Sequence, residues 1–197
     1  EVVKKIYRLN PVAQPAPLPA EQGDQQEAGD TAQQGSDTAQ PSDQAETHTT
    51  AVDEAQPDAI ALYGINLANI ALVKAAALAL IKPISPTSHK LAIDLIKEHG
   101  KNEVKVFLLA REISLKLGGT PTALDDFKGT IDTAFNAIKS APKEAFEATF
   151  MEQKKLIESA LIALLNGIKE QGFTNTNVAS FVDLTVALAQ QESTGAE

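Results

Sequence analysis

"LAIDLIKEHGKNEVKVFLLAREISLKL", residues 91–117, is the stretch of this 197-residue chain that is most informative about its fold. Alternating steps of four and three residues connect the positions Ala92, Ile96, His99, Glu103, Val106, Ala110, Ile113 and Leu117. This spacing places the side chains along one side of an α-helix, as in a helical bundle. The stretch therefore predicts a long helix with a mostly apolar packing face that contains two polar residues, His99 and Glu103.

The remaining sequence after residue 58 carries the start and stop signals of further helices. Ser85 and Pro86 predict a helix start, and Gly172 predicts a helix end. The predicted helices cover residues 58–82, 86–117, 122–139, 142–171 and 177–191. Because no period-two alternation is present, we expect an all-α, up-and-down four-helix bundle with an extra short helix, over residues 58–191, followed by a tail at 192–197.

The first 57 residues have a different composition and predict a long, flexible N-terminal segment. Between Leu9 and Asp58 there are ten acidic residues and no Lys or Arg. Residues 1–58 have a net charge of −8, whereas residues 59–197 have a net charge of −1. Such an acidic, polar segment cannot bury enough apolar surface to offset its ordering entropy. The charge also argues against partners that need a basic surface, namely nucleic acids and anionic membranes.

The N-terminal decapeptide "EVVKKIYRLN" is basic and rich in β-branched residues. It predicts a short strand that could pair with a neighbouring subunit and so build an assembly. The residues expected to form this strand are Val2, Val3, Ile6 and Tyr7. The absence of cysteine excludes disulfides, thiolate catalysis and Cys-based zinc sites.

Residues 59–81 are long and apolar enough to raise the question of a membrane span. Asn66, Asn69 and Lys74 interrupt this stretch, and three amphipathic helices need an apolar partner. We therefore interpret it as a core helix and expect no membrane span.

The same spacing predicts packing faces for two further helices: Tyr63, Asn66, Ile70, Val73, Ala77 and Leu80 in the first, and Phe146, Phe150, Gln153, Ile157, Ala160 and Leu164 in the fourth. Polar residues on or beside these faces predict a buried polar layer, which would consist of Asn66, Asn69, His99, Glu103 and Gln153. The simplest interpretation is that His99 and Glu103 hydrogen-bond to each other or to an Asn of the first helix, which would fix the packing register. The alternative is a mononuclear metal site on His99, Glu103 and Glu158. A dinuclear centre is excluded because no Glu precedes any His by three residues. We expect no cofactor and no catalytic residues, because neither a phosphate loop nor a nucleophile elbow is present.

Three segments carry a resemblance to a known family: "GINLANIALVKAAA" (64–77), "HKLAIDLIKEHGKNEVKVFLLAREISLKLGGTP" (89–121) and "AFNAIKSAPKEAFEATFMEQKKLIESAL" (134–161). The chain resembles a bacterial family of exported ferritin-like bundles, described as predicted outer membrane proteins of unknown function. The resemblance implies a ferritin-like fold and an exported, periplasmic or extracellular location. That family has a Glu at the position of Asn69, a His at His99 and a further His near Glu158, so the resemblance implies that most of any metal-binding capacity is lost here.

These observations predict a non-enzymatic, exported structural or interaction module. A more specific form of this prediction is a subunit of an extracellular assembly or filament that forms through its N-terminal segment. Its expected partners are proteins, either further copies or another exported protein. The alternative is a metal-binding or stress-related periplasmic bundle that uses His99.

Overall fold

A computed structural model of the chain describes residues 54–194. The predicted strand at Val2, Val3, Ile6 and Tyr7 lies outside the described residues. The described part contains five α-helices and no strand, which confirms the all-α prediction. The helices are α1 (Pro57–Ala79), α2 (Pro86–Glu112), α3 (Asp125–Ser140), α4 (Phe146–Lys169) and α5 (Thr176–Thr194), with a 3₁₀ turn at Thr122–Leu124 before α3.

Helix α1 lies at the centre and packs against each of the other four helices, and α4 lies between α3 and α5. A helix that is apolar on all sides must be covered on all sides, and α1 has this composition. It is also long and apolar enough to cross a membrane, with a mean hydropathy of 1.5. In this fold, however, 72% of its most apolar window is buried inside the protein.

The packing face predicted for α1 is buried only in part. Tyr63 of the predicted stripe is buried, but Ile70 and Ala77 are exposed, whereas Asn69 and Leu72 outside the stripe are buried. The apolar residues surround α1, so its own sequence contains little information about which side meets which neighbour.

Helix α2 begins as predicted but ends earlier. The Ser85 hydroxyl accepts a hydrogen bond from the Ser88 N–H at 3.2 Å, and Pro86 is the first helical residue. The predicted continuation to residue 117 is wrong because Ser114 adopts a left-handed conformation, with φ of 57°. The Leu115 N–H then donates to the Ala110 carbonyl at 2.7 Å, which is the closing bond of a Schellman motif.

Glu147, in the first turn of α4, connects that helix to the start of α2. Its carboxylate accepts hydrogen bonds from the Ser85 N–H at 3.1 Å, from the Ser85 hydroxyl at 2.5 Å and from the Ser88 hydroxyl at 2.6 Å. The bonds from Ser85 and Ser88 lower the pKa of the Glu147 carboxyl. This carboxylate also stabilises the N-terminus of α4 through the helix dipole.

We therefore expect the Glu147→Gln variant to be less stable than the wild type at neutral pH. A lowered pKa means that the ionised carboxylate contributes stability above its ordinary pKa of about 4.3, and that this contribution is lost as the pH falls through the lowered value. Urea unfolding at pH 7 and at about pH 3 measures the difference, which should shrink in acid. Glu144→Gln, an exposed neighbour, is the control, and an equal effect of both substitutions would contradict the role of Glu147.

Two carboxylates, those of Asp58 and Glu112, hold the N-terminus of α5 against α1 and α2, and we call them the Asp58 and Glu112 clamps. The buried Asp58 carboxylate accepts hydrogen bonds from the Thr174 N–H at 2.9 Å and the Asn175 N–H at 3.0 Å. The Glu112 carboxylate at the end of α2 accepts from the side chains of Asn175 and Asn177, at 3.1 and 2.8 Å. Because the start of α5 is fixed beside the start of α1 and the end of α2, α5 runs back along the other helices and places its last turn beside the middle of α2.

Candidate functional site

The middle of α2 presents His99 to the interior, where its side chain is 3% exposed. The His99 Nδ1 atom lies 2.9 Å from Oδ1 of Asn69 on α1. Because an amide oxygen only accepts, Nδ1 must carry the proton. When His99 is neutral, its second nitrogen, Nε2, therefore presents a lone pair.

His99 Nε2 faces the last turn of α5, where Glu192 Oε2 lies 3.3 Å away. The two atoms are at ion-pair distance but are not aligned as a hydrogen bond. Burial alone would raise the pKa of the Glu192 carboxyl, but His99 and Lys154 outweigh it and hold that pKa below its usual range. The site therefore favours a negative charge at Glu192.

An ion pair inside α4 completes the arrangement. Lys154 Nζ lies 2.6 Å from Glu158 Oε1, and both side chains are fully buried. Lys154 also donates to the backbone carbonyl of Glu192 at 3.2 Å, and the Ser193 hydroxyl donates to Glu158 Oε2 at 3.2 Å. Burial raises the pKa of the Glu158 carboxyl, although Lys154 counteracts part of this effect.

We call these six residues the buried cluster: Asn69, His99, Lys154, Glu158, Glu192 and Ser193. They come from α1, α2, α4 and α5, so the cluster joins four helices.

Unsatisfied polar atoms concentrate at this place. Among residues 54–194, five buried side-chain polar atoms lack an aligned hydrogen-bond partner: Asn69 Nδ2, His99 Nε2, Asn102 Nδ2, Glu158 Oε1 and Glu192 Oε2. Four of them belong to the buried cluster, and the fifth lies one turn along α2 from His99. Buried polar atoms are normally satisfied, and a group of exceptions indicates a missing ligand, ion or water.

Glu103 does not join the buried cluster. The Asn66 amide, oriented by its hydrogen-bonding surroundings, donates to the two oxygens of Glu103 at 2.5 and 3.3 Å. Burial raises the pKa of the Glu103 carboxyl, and the nearby Asn69 side chain partly offsets the increase. His99 and Glu103 are thus each paired with an Asn of α1, as the registration interpretation requires.

The structure brings together only part of the predicted site. His99, Glu158 and Asn69 meet in the buried cluster, whereas Gln153 is half-buried and takes part in none of these contacts. Three residues of the buried cluster were not predicted from the sequence: Lys154, Glu192 and Ser193. Lys154 could have been found, because a step of four from Phe150 reaches it and a second step of four reaches Glu158.

Glu192 and Ser193 had no comparable signal in the sequence. The predicted last helix ended at Gln191, whereas α5 extends to Thr194. Two residues of the buried cluster therefore lie in what was expected to be a tail.

The chemistry available at the buried cluster is the capture of a cation. His99, Glu158 and Glu192 each offer one ligand atom, and the three atoms lie within 4.8 Å of one another. Imidazole nitrogen and carboxylate oxygen are ligands that divalent transition metals accept. Lys154 already places one positive charge next to this group.

No family model, curated protein or solved structure matches this chain. The assignment of a function therefore depends on the residues of the chain and on their geometry.

Proposed function

We propose that this chain is a non-enzymatic interaction module, an exported bundle of the ferritin-like kind that associates with further copies of itself. The exported location and the ferritin-like fold are supported by the resemblance in residues 64–77, 89–121 and 134–161. The association is supported by one surface feature of α2, described next.

The outer face of α2 exposes apolar side chains that the other described helices leave uncovered. Val104, Phe107 and Leu108 are 61%, 67% and 55% exposed. Their spacing of three and four residues places them in one stripe along the helix. We call this stripe, together with the exposed basic residues Lys101 and Arg111 along it, the α2 face.

The α2 face is uncovered because α2 has one principal packing partner, α1. The Schellman turn at Ser114 adds a shallow groove at the end of the stripe, lined by Phe107, Arg111, Leu115 and Lys116 among others. Contiguous exposed apolar side chains rimmed by charges are typical of protein-binding surfaces.

The occupant that we propose for the α2 face is the acidic N-terminal segment of a second copy, residues 11–53. Two basic residues lie along the face: Arg111, and Lys101, which pairs with Glu98 at 2.8 Å. Their positive charges disfavour a direct pairing of two α2 faces, because like charges would meet. The N-terminal segment has the complementary charge, since no Lys or Arg occurs between Leu9 and Asp58. The described residues 54–194 contain no strand. A strand formed by residues 2–7 would therefore have to pair with a strand that lies outside residues 54–194.

We expect the full-length chain to associate at low salt and to separate as salt is added. Sedimentation should give a mass above the 20.9 kDa of one chain at about 0.05 M salt, and a mass near it at about 1 M salt, where charges are screened beyond about 3 Å. Phe107→Asp should weaken the association by about tenfold or more, because it places a charge in the centre of the contact.

Leu184→Asp is the matched control, since Leu184 is an exposed apolar residue of α5 with 70% exposure. A second variant replaces acids of the N-terminal segment by amides, at Asp24, Glu27, Asp30, Asp37, Asp43 and Glu46. It should weaken the association as Phe107→Asp does. A wild-type chain that stays at the mass of one chain at every concentration, or equal effects of Phe107→Asp and Leu184→Asp, would overturn the proposal.

A further inference from the structure

The contact between His99 Nε2 and Glu192 Oε2 requires a proton or a metal ion between the two atoms. The Asn69 oxygen fixes the proton on His99 Nδ1, so neutral His99 directs the Nε2 lone pair at the Glu192 carboxylate, 3.3 Å away. Two acceptors at this distance repel each other unless a proton or a metal ion lies between them. Both atoms lack an aligned hydrogen-bond partner.

We propose that the buried cluster binds one divalent transition-metal ion, with Zn²⁺ as the best fit, through His99 Nε2, Glu158 Oε1 and Glu192 Oε2. One ligand atom from each of the three side chains lies within 4.8 Å of the other two. Bonds of about 2.0–2.2 Å to one tetrahedral ion hold two ligand atoms about 3.4 Å apart, and His99 Nε2 and Glu192 Oε2 are 3.3 Å apart. One histidine and two carboxylates also match the ligand types that zinc takes in proteins.

The surroundings of these three ligands hold them in position. Asn69 fixes the tautomer and the orientation of the His99 ring. The Ser193 hydroxyl lies 3.2 Å from Oε2 of Glu158, and Oε1 of Glu158 contacts Lys154 Nζ at 2.6 Å. Partners of this kind, which orient a ligand from outside the coordination sphere, are characteristic of metal sites. Exposed acidic groups lack them.

Lys154 is the competitor of the metal ion. Its Nζ atom lies 2.6 Å from Glu158 Oε1, which is one of the three proposed ligand atoms. An ammonium group and a divalent cation cannot both occupy this oxygen without strong repulsion. The metal ion must therefore displace the Lys154 side chain from Glu158, and this requirement weakens binding relative to a site without the lysine.

The test uses full-length, untagged protein with His48→Gln and His89→Gln, so that His99 is the sole histidine of the chain. The probes are CoCl₂, whose visible absorption reports its coordination, and ZnCl₂, followed by calorimetry. We expect one ion per chain, and Zn²⁺ should displace Co²⁺. His99→Gln and Glu192→Gln should each weaken binding by about tenfold or more, the size of effect seen when support for a metal ligand is removed.

Two further variants make the test specific. Glu103→Gln, which alters the carboxylate that the sequence predicted as a ligand, should leave binding unchanged. Lys154→Met should tighten it by removing the competitor, and Zn²⁺ should raise the thermal stability of this variant more than that of Lys101→Met, an exposed control. Glu192→Gln keeps the test valid if His99→Gln fails to fold, because Glu192 lies at the edge of the cluster with a side chain 15% exposed.

The proposal is overturned if neither ion binds, or if Co²⁺ binds equally to the parent, His99→Gln and Glu192→Gln proteins. The second result would assign the ion to exposed acidic groups such as Asp125 and Asp126. The metal site does not depend on the α2 face, so the result leaves the proposed association untouched.

Discussion

Replacing Lys154 with Ala should lower the free energy of unfolding by about 3–5 kcal/mol, which is the usual effect of breaking a buried ion pair. Both Lys154 and Glu158 are fully buried, and their charged atoms lie 2.6 Å apart. Removing the lysine leaves the Glu158 carboxylate without its partner in a place where water does not reach it. Lys154 also donates to the Glu192 carbonyl, so the last turn of α5 loses a contact as well. Urea unfolding at pH 7 in the presence of a metal chelator measures the change.

Two controls separate the buried charge from other effects. Lys169→Ala breaks a pair with Asp183 whose side chains are 41% and 61% exposed, and we expect it to cost no more than about 1 kcal/mol. The double variant Lys154→Met with Glu158→Leu removes both charges and should be much closer to the wild type than Lys154→Ala is. A loss below about 1 kcal/mol for Lys154→Ala would contradict the buried ion pair.

Replacing Phe150 with Ala should cost about 3–5 kcal/mol, at the upper end for a core substitution. Phe150 is fully buried, and its ring stacks on that of Phe146, with the ring centres 6.4 Å apart. Half of the core cluster that contains these rings is alanine: Ala75, Ala76, Ala79 and Ala92 belong to it together with Leu95 and Ile138. Alanine side chains cannot rotate into the space that the ring leaves, so the cavity stays open and the cost is high.

Phe107→Ala is the matched control, because it removes the same ring from a site that is 67% exposed. In dilute protein we expect a change within about 0.5 kcal/mol, as for most surface substitutions. Thermal and urea unfolding of the two variants should therefore differ by several kilocalories per mole. Similar losses in both would show that Phe150 does not occupy a rigid core site.

The helical class of the fold was predictable because its signals are local. Ser85 caps α2 in the structure as its position before Pro86 suggested, and Gly172 has the positive φ, 82°, that a helix end requires. The seam of α2 was also predictable, since polar and apolar residues alternate clearly around that helix. His99 is buried at the position that this seam gave it.

The buried face of α4 was harder to predict, because residues three apart and residues four apart both lie on the same side of a helix. From Phe150 the sequence reasoning took the step of three to Gln153, which is half-buried, whereas the buried face takes the step of four to Lys154. Because lysine is rarely buried, the residue type at position 154 gives no sign that this side of the helix is the buried one. The lysine is buried because Glu158, one turn later, supplies its counter-charge.

The contact of His99 with Glu192 could not be predicted from local sequence patterns. Glu192 is 93 positions away in the chain, and no cap or stop signal indicates that α5 reaches it. Its place is determined by the Asp58 and Glu112 clamps on the loop before α5, which are long-range contacts. Sequence patterns describe one helix at a time, whereas this site depends on the relative position of four.

The central position of α1 has a consequence for the order in which the chain acquires its structure during synthesis. The most apolar segment, residues 57–79, leaves the ribosome before the helices that cover it, and Asp58 meets Thr174 only after a further 116 residues have been made. Until the other helices have been made, a 23-residue apolar helix lacks part of its cover, and the nascent chain presents it to chaperones and to neighbouring chains. Most of this cover comes from α2 and α4, so the exposure of α1 falls mainly when these two helices pack against it.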